Sequence, residues 1–182
     1  MKVDLESAYI VLESQDPAAV NQYLGQVVGL MPGEPTAQGA STWRVDAKAQ
    51  RVVVKPGTAN DATCIGFEAT SRVAFDATVA RLRTLGLNPV PATDEQKKKR
   101  RVKEMVSVPA PWGVQVVVVM GLEQAATAFA SAAFPEGFNT QDQGFGHFVF
   151  AVAGADVYEA SRRFAIDGLG LKLSMANRRD AS

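Results

Sequence analysis

Of the residue types that carry most neutral-pH chemistry, this 182-residue chain has one histidine and one cysteine. His147 stands in TQDQGFGHFVFAV, at 140–152. An imidazole there is either a structural ring or one ligand of a metal, and a single imidazole cannot hold a catalytic metal without partners from elsewhere. Cys64 lies in TCIGFEAT. A reactive thiolate needs a nearby base or positive charge and no second histidine can serve, so a small buried apolar residue is the reading. Glu13 and Glu68 each fall four residues beyond a matched position, Tyr9 and Cys64, so strand alternation puts each on its partner's face. Both could have been ligands in a metal-binding ancestor; capping a turn or meeting solvent is the plainer role. Trp43 and Trp112 could stack on an aromatic ligand, but core packing or an interface is favoured. KKKRRVK at 97–103 has the form of a nucleic-acid patch. The acids of PATDEQ just before it offset the charge, and it reads as a solvated loop running into an exposed strand.

The elements that must position these residues repeat. Three segments read alike: AYIVLESQDPAAVNQYLGQVVGLMPG from 8, TCIGFEATSRVAFDATVARLRTLGLNPV from 63 and GHFVFAVAGADVYEASRRFAIDGLGLKLS from 146. Each has a short apolar strand, a polar turn, a helix-period stretch and a glycine near its end. Asp16 before Pro17 is an N-cap followed by proline at N1, and Asp156 can cap the third helix. Val73, Ala77, Ala80, Leu82 and Leu85 form the apolar stripe of the second helix, and Gly29, Gly86 and Gly168 or Gly170 sit where left-handed C-caps belong.

After the first helix, STWRVD and QRVVVKPG are strand candidates; after the second, RRVKEMVSVP and GVQVVVVMG flank the turn APWG. Each complete copy is βαβββ, an α+β arrangement. Tyr9, Cys64 and His147 are equivalent, 55 residues apart (64 − 9) and then 83 (147 − 64). The extra length predicts three parts: a two-module domain over 1–121, a linker over 122–142, and the incomplete start of a second domain over 143–182. Such a fragment cannot enclose a core alone. It must dock on the first domain, pair with another chain, or continue.

Charge is balanced, with nineteen Lys plus Arg against nineteen Asp plus Glu, and 47% of residues are hydrophobic. Nothing global favours nucleic acid or a membrane surface. One cysteine excludes an internal disulfide, and MKVDLESAYIVLES lacks a signal-peptide core, so the expected location is cytoplasmic.

Paired βαβββ modules with DQGFGHFVFAV opening a third, VPAPWGVQVVVV before a last strand and YIVLESQDPAAVNQYLGQVVGL at the start resemble the vicinal oxygen chelate superfamily. Within it the chain resembles the two-domain type I extradiol ring-cleaving dioxygenases. That resemblance implies a cupped mixed sheet, a metal-free N-terminal domain and a C-terminal domain holding Fe(II), or less often Mn(II), through two histidines and a glutamate. His147 then matches the first ligand. Module one has Tyr9 and module two Cys64 where a metal-competent module has histidine, and Val117 falls where such a module has glutamate. The implied partners are a small aromatic diol and O2, with tight iron binding by these 182 residues alone not expected. Exposed sheet edges and the unfinished module invite homo-oligomers. The alternative is a metal-free pair of modules, like glyoxalase or bleomycin-resistance proteins, that binds a small molecule in its cup or dimerises.

Overall fold

In the computed structural model, which describes residues 4–139 and 144–173, the first repeat becomes strand β1 (Leu5–Ser14) and helix α1 (Pro17–Gln22), followed by strands β2 (Met31–Pro32), β3 (Ser41–Arg44) and β4 (Val52–Pro56). The second becomes β5 (Asp61–Ala69), α2 (Arg72–Thr84), β6 (Val90–Pro91), α3 (Asp94–Arg100), β7 (Glu104–Pro109) and β8 (Gln115–Met120). One mixed sheet has the order β2-β3-β4-β1-β5-β8-β7-β6. That order is symmetric about the β1–β5 junction. Within each module the first strand pairs in parallel with the last, β1 with β4 and β5 with β8, and the two first strands meet antiparallel. The α+β pair of βαβββ modules is as the repeats predict.

Strand alternation divides the sheet into two faces. On the outer face Val116, Val118, Val106 and Val108 pack beneath Phe75, Val79 and Leu82 of α2, while Val52, Val54 and Trp43 pack beneath Leu24 at the end of the first helical segment. The inner face is the concave cup, lined by Tyr9, Val11, Val53, Cys64, Met105 and Val117.

Local signals explain the helix ends. The Asp16 carboxylate accepts the Ala19 N–H at 3.0 Å, with Pro17 opening α1 as expected. Gly29, Gly86 and, of the two candidates in the third copy, Gly170 take positive φ (76°, 79° and 75°), the conformation for which glycine carries no penalty.

Four expectations need correction. In α2 only Leu82 of the predicted stripe is buried; Val73 is 78% exposed, and the core face is Ala74, Phe75, Thr78, Val79 and Leu82, one position out of phase. The segment read as a solvated loop contains α3, whose Thr93 accepts the Gln96 N–H while the Gln96 side chain accepts the Thr93 N–H, a capping box. Nor is the strand that follows exposed, since Met105, Val106 and Val108 of β7 are buried. The fourth helix, α4 (Ala155–Arg163), starts from Gly154 with no side-chain cap, and Asp156 lies in its first turn, where it meets the helix dipole instead.

The third copy differs most. Residues 146–153, expected to open with a strand, form none. In modules one and two the first strand hydrogen-bonds to the last strand of its own module, and no described residue after α4 supplies that partner. The segment docks nonetheless. Phe164 and Leu169, just after α4, are 2% and 1% exposed and join the core beside Leu82, and Arg81 donates to the carbonyls of Gly168 and Leu169.

Residues 122–139 lie along the first module. Ala49 N–H donates to Glu123 O and Ala125 N–H to Ala47 O, and the buried Arg44 donates to Thr127 O at 2.9 Å and Thr127 Oγ1 at 3.0 Å. Arg44 meets carbonyl and hydroxyl oxygens here, which satisfies a guanidinium that would be costly to bury unpaired. The edge strands β2 and β6 have two residues each, with Pro32 and Pro91, so the sheet edges are poor templates for pairing chains. No helix among the described residues is long and apolar enough to cross a membrane.

Candidate functional site

The three matched positions go to two places. Tyr9 and Cys64 point into the cup from neighbouring strands, and Val117, 3% exposed, points into it from β8. The Tyr9 ring lies against Gly66, where a Cβ would come within 2.9 Å of the ring, and its hydroxyl approaches Met105 Sδ at 3.9 Å. Burial pushes the Tyr9 hydroxyl far above its ordinary pKa. Burial also raises the Cys64 thiol, with Arg100 and Lys55 only partly opposing it, so Cys64 stays a protonated small residue and no nucleophile forms.

The two matched glutamates are both engaged. Glu13 pairs with Lys55 at 2.6 Å and accepts the Ala59 N–H at 3.1 Å, the turn-capping role predicted for it. Its carboxyl is held below the usual range, first by the Lys55 hydrogen bond and then by Ala59. Glu68 departs from expectation: it is buried, pairs with Lys48 at 3.1 Å and accepts the Leu122 N–H at 2.9 Å. It ties the end of β8 to the first module. Both Glu68 oxygens are thus engaged, Oε1 by Lys48 and the Leu122 N–H and Oε2 by Lys48. Among the described residues no three His, Cys, Asp or Glu groups gather as a metal site. The side chains of this cup do not fit an iron centre.

His147 lies outside the cup, exposed, on the strandless segment before α4. Its surroundings are aromatic. Phe148 meets Phe67 edge-on at 5.7 Å, Phe150 stacks on Trp112 at 5.1 Å, and Trp112 meets Phe164 edge-on at 5.4 Å. His147, Phe67, Trp112, Phe148 and Phe150 border a cleft of about 680 Å³ whose far wall is α4. Upstream, β1 holds the chain: Phe145 N–H donates to Ser7 O at 2.8 Å, Gly146 N–H donates to Ser7 Oγ at 3.0 Å, and that hydroxyl donates to Gly146 O at 2.7 Å. Gly144, at φ +77°, allows the approach, because a Cβ there would collide with the Ser7 carbonyl. The first glycine of GFGH thus has a structural task. Trp112 serves as interface, and Trp43 as core, with its Nε1 donating to Asn21 Oδ1 at 2.8 Å. Sequence reasoning missed Ser7 and Arg100; both lie on elements whose neighbours are distant in the chain.

The dihydroxybiphenyl dioxygenase BphC D1 family model matches residues 8–57. The chain is 30% identical over 167 residues to a 3-methylcatechol 2,3-dioxygenase of Pseudomonas putida, across 91% of this chain and 56% of that protein. It is also 30% identical over 168 residues to an iron-dependent extradiol dioxygenase of Rhodococcus jostii, across 91% and 54%. A solved halotolerant catechol dioxygenase superposes with a TM-score of 0.81 at 25% identity, over 91% of this chain and 54% of that one. The chain spans about half the length of these proteins.

Proposed function

We propose that the chain belongs to the extradiol ring-cleaving dioxygenases of the vicinal oxygen chelate superfamily and is the metal-free N-terminal part of an iron-dependent dioxygenase, a reading supported by its likeness to these proteins. Residues 1–121 are then the two-module domain, 122–142 the linker and 143–182 the opening of the catalytic half. The substrates of the complete protein are a catechol-type diol and O2. The observation that carries this reading is the cup itself: Tyr9, Cys64 and Val117 occupy the matched inward positions, and the matched acids are consumed by Lys55, Lys48 and backbone donors. Chemistry is thereby displaced to the part that begins near His147.

His147 is an iron ligand in the complete protein, with a second histidine and a glutamate contributed by the remaining half. Iron so bound, with Mn(II) as the less common occupant, supplies Lewis acidity, a template for the diol and a path for electrons to O2. Because this chain's residues do not complete that ligand set, no reaction step is assigned to them. Their part is positional: the Ser7 clasp and the Trp112 stack hold the backbone on both sides of His147. Assembly of several copies would run through the apolar surface of the third segment, where Val149 is 91% and Leu173 60% exposed, since the sheet edges are blunted. Cytoplasmic residence completes the proposal.

The test is a fusion of this chain to the C-terminal half of the P. putida relative. With Fe(II) and 3-methylcatechol it should take up O2. His147→Ala should lower both O2 uptake and iron affinity by more than ~100-fold, the upper end of the loss seen when a group that merely supports a ligand is removed. Full activity and unchanged iron affinity in His147→Ala would overturn the assignment.

A further inference from the structure

The cup is not filled. A cavity of about 650 Å³, within the usual size of a small-molecule site, opens between its sheet face and α3. Its floor is apolar, formed by Val11, Val53, Met105 and Val117. Ser107 and Gln115 add hydrogen-bonding groups, and Lys99 and Arg100 stand on the α3 side. No carboxylate lines it, and Lys55, the third cation there, is already paired with Glu13.

Arg100 is the unusual member. It is half-buried, its guanidinium lies 5.8 Å from the centre of the Tyr9 ring, and among the described residues no carboxylate pairs with it. Its backbone is fixed by Gln50 Nε2, which donates to Arg100 O at 2.9 Å. A guanidinium held over an aromatic face keeps its planar fork of donors for an acceptor that can take two parallel hydrogen bonds. Inorganic phosphate would satisfy that fork and leave the valine floor bare. An organic acid satisfies both.

We propose that the cup of the two-module domain binds a small organic carboxylate, its apolar body on Val53 and Val117 and its carboxylate on Arg100 with Lys99 beside it. This site is independent of His147 and of iron.

Benzoate is the probe, titrated into the 182-residue chain by calorimetry and by the NMR shifts of the valine methyls. Saturable one-to-one binding is expected. Arg100→Gln should weaken it at least about tenfold, as loss of a charge-assisted pair of hydrogen bonds would. Lys98→Gln, on the same helix but away from the cavity, should leave it unchanged. Ser107→Phe, with Arg100 intact, should abolish binding by filling the space, and it decides the matter if Arg100→Gln fails to fold by circular dichroism. The proposal is overturned if benzoate does not saturate, if Arg100→Gln binds like Lys98→Gln, if Ser107→Phe folds and still binds, or if inorganic phosphate binds as tightly as benzoate.

Discussion

Modules one and two and the third segment start from the same pattern of strand, turn, helix and glycine, yet among the described residues only the first two build a sheet. In the third, α4 forms and residues 146–153 before it form no strand. Helix hydrogen bonds close within the helix, so α4 needs no neighbour, whereas a strand borrows its partners from elsewhere in the chain. For β1 and β5 those partners are β4 and β8, each the last strand of its own module. Equal local sequence therefore gives unequal structure. The third segment is held by what it can reach: the Ser7 clasp at one end and Phe164 with Leu169 at the other.

Weakening each region in turn separates them energetically. Leu82→Ala removes a side chain with no exposed surface from between α2 and the sheet, and should lower unfolding free energy by ~2–5 kcal/mol in urea titration. Phe164→Ala should cost the global transition less, about 1–2 kcal/mol, because the docked segment can open locally and leave no enforced cavity in the modules. Hydrogen exchange at the amides of Leu169 and Leu171 should quicken strongly while those of β8 hold. A Phe164→Ala loss as large as that of Leu82→Ala would mean that the segment belongs to one cooperative unit with the modules.

Asp16→Ala should cost ~1 kcal/mol, the ordinary loss of an N-cap, confined to α1. The smallest effect is on acid sensitivity. Glu13 has its pKa lowered from 4.5 by Lys55 foremost and then by Ala59, so the folded state binds that proton more weakly than the unfolded chain does. Its contribution is complete above about pH 4.5 and is lost as pH falls through the lower folded value. Glu13→Gln should flatten the stability profile below pH 4.5 and leave the shape near neutrality alone, measured as the urea midpoint against pH. A profile unchanged in acid would show that the Lys55 pair does not act in solution.

Much of the sheet was legible because alternation and glycine are local codes. The strand candidates became β3, β4, β7 and β8, and matching Tyr9 with Cys64 put both in the cup. What escaped has physical reasons. α3 hides in a charge run whose polar composition suggests a loop, although Thr93 and Gln96 at capping-box spacing announce its start. The phase of α2 was misread because Thr78 is buried, its hydroxyl donating to the Ala74 carbonyl, while the apolar Val73 faces solvent. β2 and β6, two residues each, carry too little pattern to stand out. With α3 unassigned, Arg100 could not be set over Tyr9, so the cavity it borders was invisible. His147 stood out by its motif, but its exposure depends on a strand partner that no local pattern reveals.

The most direct test of the central claim is an anaerobic Fe(II) titration of the 182-residue chain beside its fusion to the relative's C-terminal half. Stoichiometric tight binding in the fusion alone, abolished by His147→Ala, is the predicted result. A tight one-to-one iron site in the 182-residue chain itself would contradict the account, because it would require a ligand set that the described residues of the cup and the third segment do not bring together.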